Sequence, residues 1–159
     1  MTTIKLFFRA ALLIIIISSC KENKELSVAR DPDYFEPPLR IDKRVKDRVC
    51  YKLYERYFVY GYNKNKEKFD SLAVDLLCKK MNEKELLSRL DIVFEDCGTY
   101  ATYREGEIPS AAFTRTIVSL VWDMENPNII KSEWIENDET RMIPFPCVLR
   151  KEYDFIKFE

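Results

Sequence analysis

The side chains in this chain that could do chemistry are its cysteines and its acidic residues, because the sequence contains no histidine. The commonest general base and the commonest zinc ligand are therefore both missing. Its five cysteines, at positions 20, 50, 78, 97 and 147, are too far apart in the chain to form a CxxC redox or metal pair. A zinc site built from four scattered cysteines stays open, although nothing in their spacing favours one.

The usual signatures of a catalytic nucleophile are also missing. There is no GxSxG elbow, no SxxK motif and no phosphate-binding glycine loop in a chain with only three glycines. A Cys–His pair cannot form without histidine. The sequence therefore predicts a protein that is not an enzyme, with no catalytic residue, no metal and no dissociable cofactor. An enzyme that acts on envelope polymers through two carboxylates stays open, because such a pair is assembled only in the fold.

Three acidic groupings could supply oxygen ligands or a carboxylate pair. The first spans residues 123–128 and has oxygen ligands at alternate positions, but it lacks the glycine and the distal glutamate of an EF-hand, so a solvated turn is favoured. The second, which fits a charged hairpin surface, comprises Glu133, Glu136, Asp138 and Glu139. The third, Glu95 and Asp96, fits the end of a helix.

The first twenty residues have the organisation of a secretory signal. Lys5 and Arg9 are the only charges in residues 1–19, and residues 10–17 are all apolar. Small residues follow at Ser18 and Ser19, and the chain becomes strongly polar after Cys20. This order of a basic start, a short apolar stretch and small residues is typical of a cleaved export signal. A spanning helix would need about 20 apolar residues.

The four residues Ile17-Ser18-Ser19-Cys20 resemble the lipobox of bacterial lipoprotein signal peptides. The resemblance implies that residues 1–19 are removed and that Cys20 carries a diacylglycerol and an N-acyl chain, which anchor the protein to a membrane. Lys21 after the cysteine is similar to the pattern that sends lipoproteins to the outer membrane. A plain secretory signal and an uncleaved anchor are the alternatives. The expected location is the cell envelope, with the outer membrane favoured over the inner and the domain facing the periplasm or the surface.

With Cys20 committed to lipid, the even number of remaining cysteines in an exported chain suggests two disulfides. We prefer Cys50–Cys78, as a staple between two helices, together with Cys97–Cys147, which would join a helix to the sheet. Four buried free thiols are the alternative, because cysteine is often buried as a small apolar side chain.

Tyrosines are concentrated between residues 51 and 62. On a helix, tyrosines at three-residue spacing sweep around the axis, so some of them must be exposed. Tyrosine is common at protein interfaces, and Tyr51, Tyr54, Tyr60 and Tyr62 are therefore a candidate interaction surface. The alternative is that they pack at a boundary between helix and sheet.

Apolar residues at every fourth position from Ile41 to Tyr57 predict a first helix. A second helix is predicted over 67–81, and Asn82 with Glu85 resembles a capping box that would open a third helix over 82–98. From there the pattern alternates, which predicts strands over 113–122, 129–135, 142–149 and 153–158. Pro144 and Pro146 lie on one face of the third of these, which places it at an edge or makes it irregular.

These elements predict an α+β fold with about three N-terminal helices packed on a C-terminal antiparallel sheet of three to five strands. The domain plan is a signal peptide at 1–19, a lipid-anchored tether at 20–40 and one domain at 41–159. Prolines and the absence of periodicity suggest the tether.

The function predicted from these features is a non-enzymatic binding module of the envelope with a protein partner. A periplasmic inhibitor or immunity protein is the alternative. Without residues 1–19 the chain keeps 24 basic and 27 acidic groups. That balance argues against a general phosphate-binding surface, and so against nucleic acid.

Overall fold

The computed structural model describes residues 25–31, 38–62, 65–97 and 114–156. The predicted signal peptide and Cys20 lie outside these residues. Within them the chain forms one mixed sheet and one α-helix. The strands are β1 (Ser27–Asp31), β2 (Leu39–Val45), β3 (Arg48–Tyr60), β4 (Leu86–Asp96), β5 (Arg115–Asp123), β6 (Ile129–Trp134) and β7 (Glu139–Pro144), with helix α1 (Lys66–Met81) between β3 and β4. A short 3-10 turn, Lys151–Tyr153, lies near the end of the chain.

The sheet is arranged around two central parallel strands. β3 and β4 are parallel and are connected through α1, and β4, β5, β6 and β7 continue as an antiparallel meander. β1 and β2 share the other edge of β3, where β1 pairs with its C-terminal half and β2 with its N-terminal half. A parallel pair needs a long crossover, and α1 supplies it.

The prediction of about three N-terminal helices packed on an antiparallel sheet is wrong, because the first and third predicted helices are strands. The apolar residues from Ile41 to Tyr57 recur every four positions, and four is a multiple of the strand period of two. Val49, Leu53 and Tyr57 therefore lie on one face of β3 as readily as on one face of a helix. Only the second predicted helix exists, as α1.

The predicted capping box at Asn82 is also wrong, because Asn82 follows the end of α1 rather than opening another helix. Its backbone N–H donates to the carbonyl of Lys79 at 3.1 Å, and the N–H of Glu83 donates to the carbonyl of Lys80 at 3.2 Å. The side-chain amide of Asn82 donates to the carbonyls of Cys78 at 3.2 Å and Val148 at 2.9 Å. Asn82 thus satisfies carbonyls that the last turn of a helix leaves without a partner.

One face of the sheet, which we call the inner face, packs against α1. The helix buries Phe69, Ala73, Leu77 and Met81 in the same apolar cluster as β4 residues such as Leu90. Phe69 contacts Phe94 of β4 edge-to-face, with ring centroids 5.3 Å apart. This core holds the two central strands and the crossover helix together.

The C-terminal segment, residues 145–156, completes the cover of the inner face. Tyr153 is buried, and its hydroxyl accepts a hydrogen bond of 2.7 Å from the backbone N–H of Leu87 at the start of β4. Arg150 donates to the carbonyls of Lys84 and Glu85. The strand predicted over 153–158 is not formed in the described part of this segment, where a 3-10 turn stands instead.

Part of the stretch predicted as a tether lies in the sheet. Strand β1 places Val28 against the core and Asp31 in a buried position opposite Arg56 of β3. The Oδ2 of Asp31 accepts a hydrogen bond of 2.7 Å from the Nε of Arg56. Charge pairing across two strands therefore orders a segment in which the sequence shows no periodicity.

Candidate functional site

The opposite face of the sheet, which we call the outer face, carries polar and apolar side chains in cross-strand rows. One row runs Tyr54, Asp91, Val121 and Lys131 across β3, β4, β5 and β6. The next row runs Arg56, Val93, Ser119 and Glu133. Successive strand residues point to opposite faces, so these side chains lie together because they occupy every second position.

These rows form an open groove of about 480 Å³ on the outer face. Its lining residues are Tyr54, Arg89, Asp91, Val93, Ser119, Val121, Lys131 and Glu133, a set we call the outer-face groove. Tyr54, Val93 and Val121 are half-buried. They form an apolar centre with charged side chains around it.

The charges around the groove neutralise one another. Arg89 forms a bidentate ion pair with Asp91, with Nε–Oδ2 at 2.8 Å and Nη2–Oδ1 at 3.0 Å. The hydrogen bond with Asp91 raises the pKa of Arg89. Lys131 pairs with Glu133. Two cations and two anions therefore line the groove, a balance that does not select an anionic ligand over other ligands.

A buried carboxylate, Glu55, lies on the inner face of β3, the strand that contributes Tyr54 to the groove. Its side chain is only 2% exposed and forms ion pairs with Arg30 at 2.8 Å and with Lys80 at 3.3 Å. The hydroxyl of Tyr57 donates a hydrogen bond of 2.6 Å to it. Burial, followed by this hydrogen bond, raises the pKa of Tyr57. These contacts satisfy a buried charge, so the arrangement is one that holds strands in place.

The acidic groupings named from the sequence are engaged with cations or turns. Glu95 lies 3.5 Å from Arg56, and Asp96 lies at 4.0 Å from Arg115 on the opposite face of β4. The side chain of Asp123 accepts a hydrogen bond from the backbone N–H of Glu125, which forms the expected turn. Among the described residues there is no group of three or more metal-ligating side chains.

In the hairpin grouping, Glu136 and Glu139 likewise pair with Lys66 and Arg141. Glu133 is the one member of that grouping that lines the groove. Asp138 lies in the turn between β6 and β7 with a positive φ of 50°.

The four tyrosines predicted as an interaction surface do not form one surface. Tyr54 and Tyr60 share the outer face of β3, whereas Tyr51 packs partly against the core. Tyr62 is buried, and its hydroxyl donates to Glu136 at 3.3 Å. Burial, followed by the charge of Glu136, raises the pKa of Tyr62 to about 12. Only Tyr54 lines the groove.

Of the groove residues, only Tyr54 and Glu133 were nominated from the sequence as candidate site residues, although a signal for those on β4 was present. From Arg89 to Glu95, polar residues and Val93 alternate with Leu90, Ile92 and Phe94. This alternation is the pattern of a strand with one exposed face. The apparent capping box at Asn82 directed the interpretation towards a helix.

The preferred disulfide pairing is wrong. Cys78 of α1 is bonded to Cys147 of the C-terminal segment, while Cys50 and Cys97 are buried free thiols. Burial raises the pKa of Cys97 to about 11 and also raises the pKa of Cys50. Both therefore stay protonated at neutral pH, and the protonated thiol is the unreactive form.

No protein-family model, no curated protein and no solved structure matches this chain. In the described part of the chain, no helix is long and apolar enough to cross a membrane.

Proposed function

We propose that this protein is a lipid-anchored binding module of the bacterial cell envelope that takes a protein partner on its outer-face groove. The observation that carries the binding role is the groove itself, where Tyr54, Val93 and Val121 form an apolar centre inside a charged rim. Interfaces between proteins have this plan, with an aromatic or aliphatic centre and a polar rim.

The balance of charge around the groove supports a protein partner. The contacts Arg89–Asp91 and Lys131–Glu133 present both signs within a small area. A protein surface can match such a pattern with its own mixed charges, whereas a polyanion would meet two carboxylates. An inhibitor or immunity protein is a special case of this proposal, in which the partner is an enzyme.

The anchor is supported by the lipobox-like residues at 17–20. Metabolic labelling with a radioactive fatty acid tests it directly. The wild-type chain should incorporate the label and sediment with membranes, and Cys20→Ala should do neither. Labelling that persists in Cys20→Ala would contradict the anchor.

The binding role is tested by photocrosslinking in intact cells. A photoreactive phenylalanine at Lys131, in the groove, should give a discrete adduct, and adding Tyr54→Ala should weaken that adduct. The control position is Asp75, an exposed residue of α1, which covers the inner face. Equal adducts from both positions, or an adduct from Lys131 that is indifferent to Tyr54→Ala, would refute the groove as the binding surface.

A further inference from the structure

The two edges of the sheet differ in whether they can accept another strand. At the β7 edge, the backbone N–H of Phe145 donates to the carbonyl of Asn128 at 2.8 Å, one position beyond the pair Ile129–Pro144. In an antiparallel ladder, the backbone N–H and C=O groups of successive residues point alternately towards the partner strand and away from it. Pro144 and, where the alternation continues, Pro146 therefore face away from β6. Proline at such positions removes donors from the open edge, which protects it from added strands.

The β2 edge has no such protection by proline. The pair Val45–Arg48 closes a two-residue turn, and the N–H of Tyr54 donates to the carbonyl of Pro38 at 2.9 Å. The register of β2 against β3 shifts by one residue between Ile41 and Lys43, so the alternation is counted separately from each end. On this count the backbone N–H and C=O groups of Leu39, Ile41 and Arg44 face away from β3. Among the described residues, no strand pairs with β2 on that side. Ile41 is 73% exposed there.

The β2 edge is also basic in a chain whose formal net charge is −1. Residues 39–48 contain five basic and two acidic side chains. One of the acids, Asp42, accepts a hydrogen bond of 2.8 Å from the Ser88 hydroxyl and forms an ion pair with Lys52 at 3.1 Å. Arg44 and Lys46 are exposed and form no ion pair with any residue that the structure describes.

The turn at the end of this hairpin holds its charges in a defined position. Lys46 and Asp47 both have positive φ, 48° and 64°. Two consecutive residues of this kind form the turn type whose twist matches a two-residue hairpin. The cations on β2 are thus presented beside an unpaired backbone edge.

We propose that the β2 edge accepts an extended acidic segment of a partner protein as an additional strand. The open N–H and C=O groups of Ile41 and Arg44 would pair with the backbone of that segment, and its carboxylates would meet Arg44 and Lys46. A second copy of this chain is disfavoured as the occupant, because its own β2 edge carries the same positive charge. This site is separate from the outer-face groove, so experiments can refute binding at one surface without refuting binding at the other.

Synthetic peptides provide the probe. A peptide of roughly six residues, the usual length of a strand, in which glutamate alternates with threonine should bind the full chain at least about tenfold more tightly than one in which lysine alternates with threonine. Binding should slow hydrogen exchange at the amides of Ile41 and Arg44, and it should weaken as salt is added. Equal affinity for the two peptides, or no binding of the acidic one, overturns the proposal.

Proline substitution separates strand addition from simple charge attraction. Ile41→Pro removes an N–H that faces away from β3, so it should abolish binding of the acidic peptide while the hairpin stays paired. Met142→Pro is the matched control, because Met142 occupies the equivalent outward position on β7. Undiminished binding to a folded Ile41→Pro variant overturns the proposal.

Charge reversal gives a second route that leaves the backbone unchanged. The double variant Arg44→Glu with Lys46→Glu should reverse the preference, so that the lysine peptide binds more tightly than the glutamate peptide. If Ile41→Pro proves unfolded, this variant and the exchange protection of the wild-type amides decide the question. An unchanged preference in the double variant refutes the role of these two cations.

Discussion

Cys78 and Cys147 are joined by a disulfide across 69 residues of sequence, with their Cα atoms 5.1 Å apart. The bond attaches helix α1 to the C-terminal segment, and these two elements cover the inner face of the sheet. Asn82 adds to the same junction, because its side-chain Oδ1 accepts a hydrogen bond of 2.9 Å from the backbone N–H of Arg150.

Removing this disulfide should lower stability substantially. A cross-link over a loop of this length restricts the unfolded chain by about 4 kcal/mol in the chain-entropy model. We expect the double variant Cys78→Ala with Cys147→Ala to lose about 2–4 kcal/mol in urea unfolding. Alkylation of denatured Cys20→Ala protein without reductant should label two thiols, Cys50 and Cys97. Labelling of four thiols would show that the disulfide is absent.

The hairpin turn at Lys46 and Asp47 should be open to stabilisation. Both residues have positive φ, which glycine and asparagine tolerate better than other residues. Asp47→Gly should therefore raise the free energy of unfolding by about 0.5–1 kcal/mol. Asp154→Gly is the matched control, because Asp154 has a φ of −57° and should lose stability instead. A gain of the same size at both positions would contradict this explanation.

The buried carboxylate of Glu55 should matter far more than an ion pair on the surface. Glu55→Gln removes a charge that is 2% exposed and leaves Lys80, itself 12% exposed, with Glu83 as its remaining partner in the described chain. We expect a loss of about 2–4 kcal/mol, measured by urea unfolding at neutral pH. The control Lys131→Ala disrupts the exposed pair with Glu133 and should change stability by under about 1 kcal/mol. Similar losses from both variants would argue against a special role of Glu55.

Tyr62 should make the protein sensitive to alkaline pH. Its pKa is raised from 10.0 to about 12, so above pH 10 the unfolded state loses the proton while the folded state keeps it. The stability that Tyr62 contributes is therefore complete below pH 10 and declines by up to about 1.4 kcal/mol per pH unit until about pH 12.

The variant Tyr62→Phe isolates this contribution, because Tyr57 also has a raised pKa and remains in both proteins. The difference in unfolding free energy between wild type and variant should be nearly constant up to pH 10 and should then shift against the wild type. Curves that stay parallel through pH 12 would contradict the raised pKa of Tyr62.

Several features of the fold could be predicted from local sequence. Helix α1 was predicted because its apolar residues follow the helical period over four turns without an alternating pattern. Pro144 and Pro146 indicated that the strand predicted over 142–149 is an edge strand or irregular, because a proline cannot donate to a ladder. Residues 142–144 do lie in the edge strand β7, whereas residues 145–149 form no strand. The lipobox prediction likewise depends only on residues adjacent in the chain, and it lies outside the described residues.

The tertiary structure alone decided the rest. Apolar residues at intervals of four satisfy a helix and a strand face equally, and only the pairing of β3 with β1, β2 and β4 resolves that ambiguity. The partner of Cys78 depends on where the C-terminal segment crosses α1. The outer-face groove draws one to three residues from each of four strands, and the register between the strands brings these residues together. Sequence therefore determined what short stretches of chain prefer, whereas the groove and the disulfide arise from contacts between residues far apart in the chain.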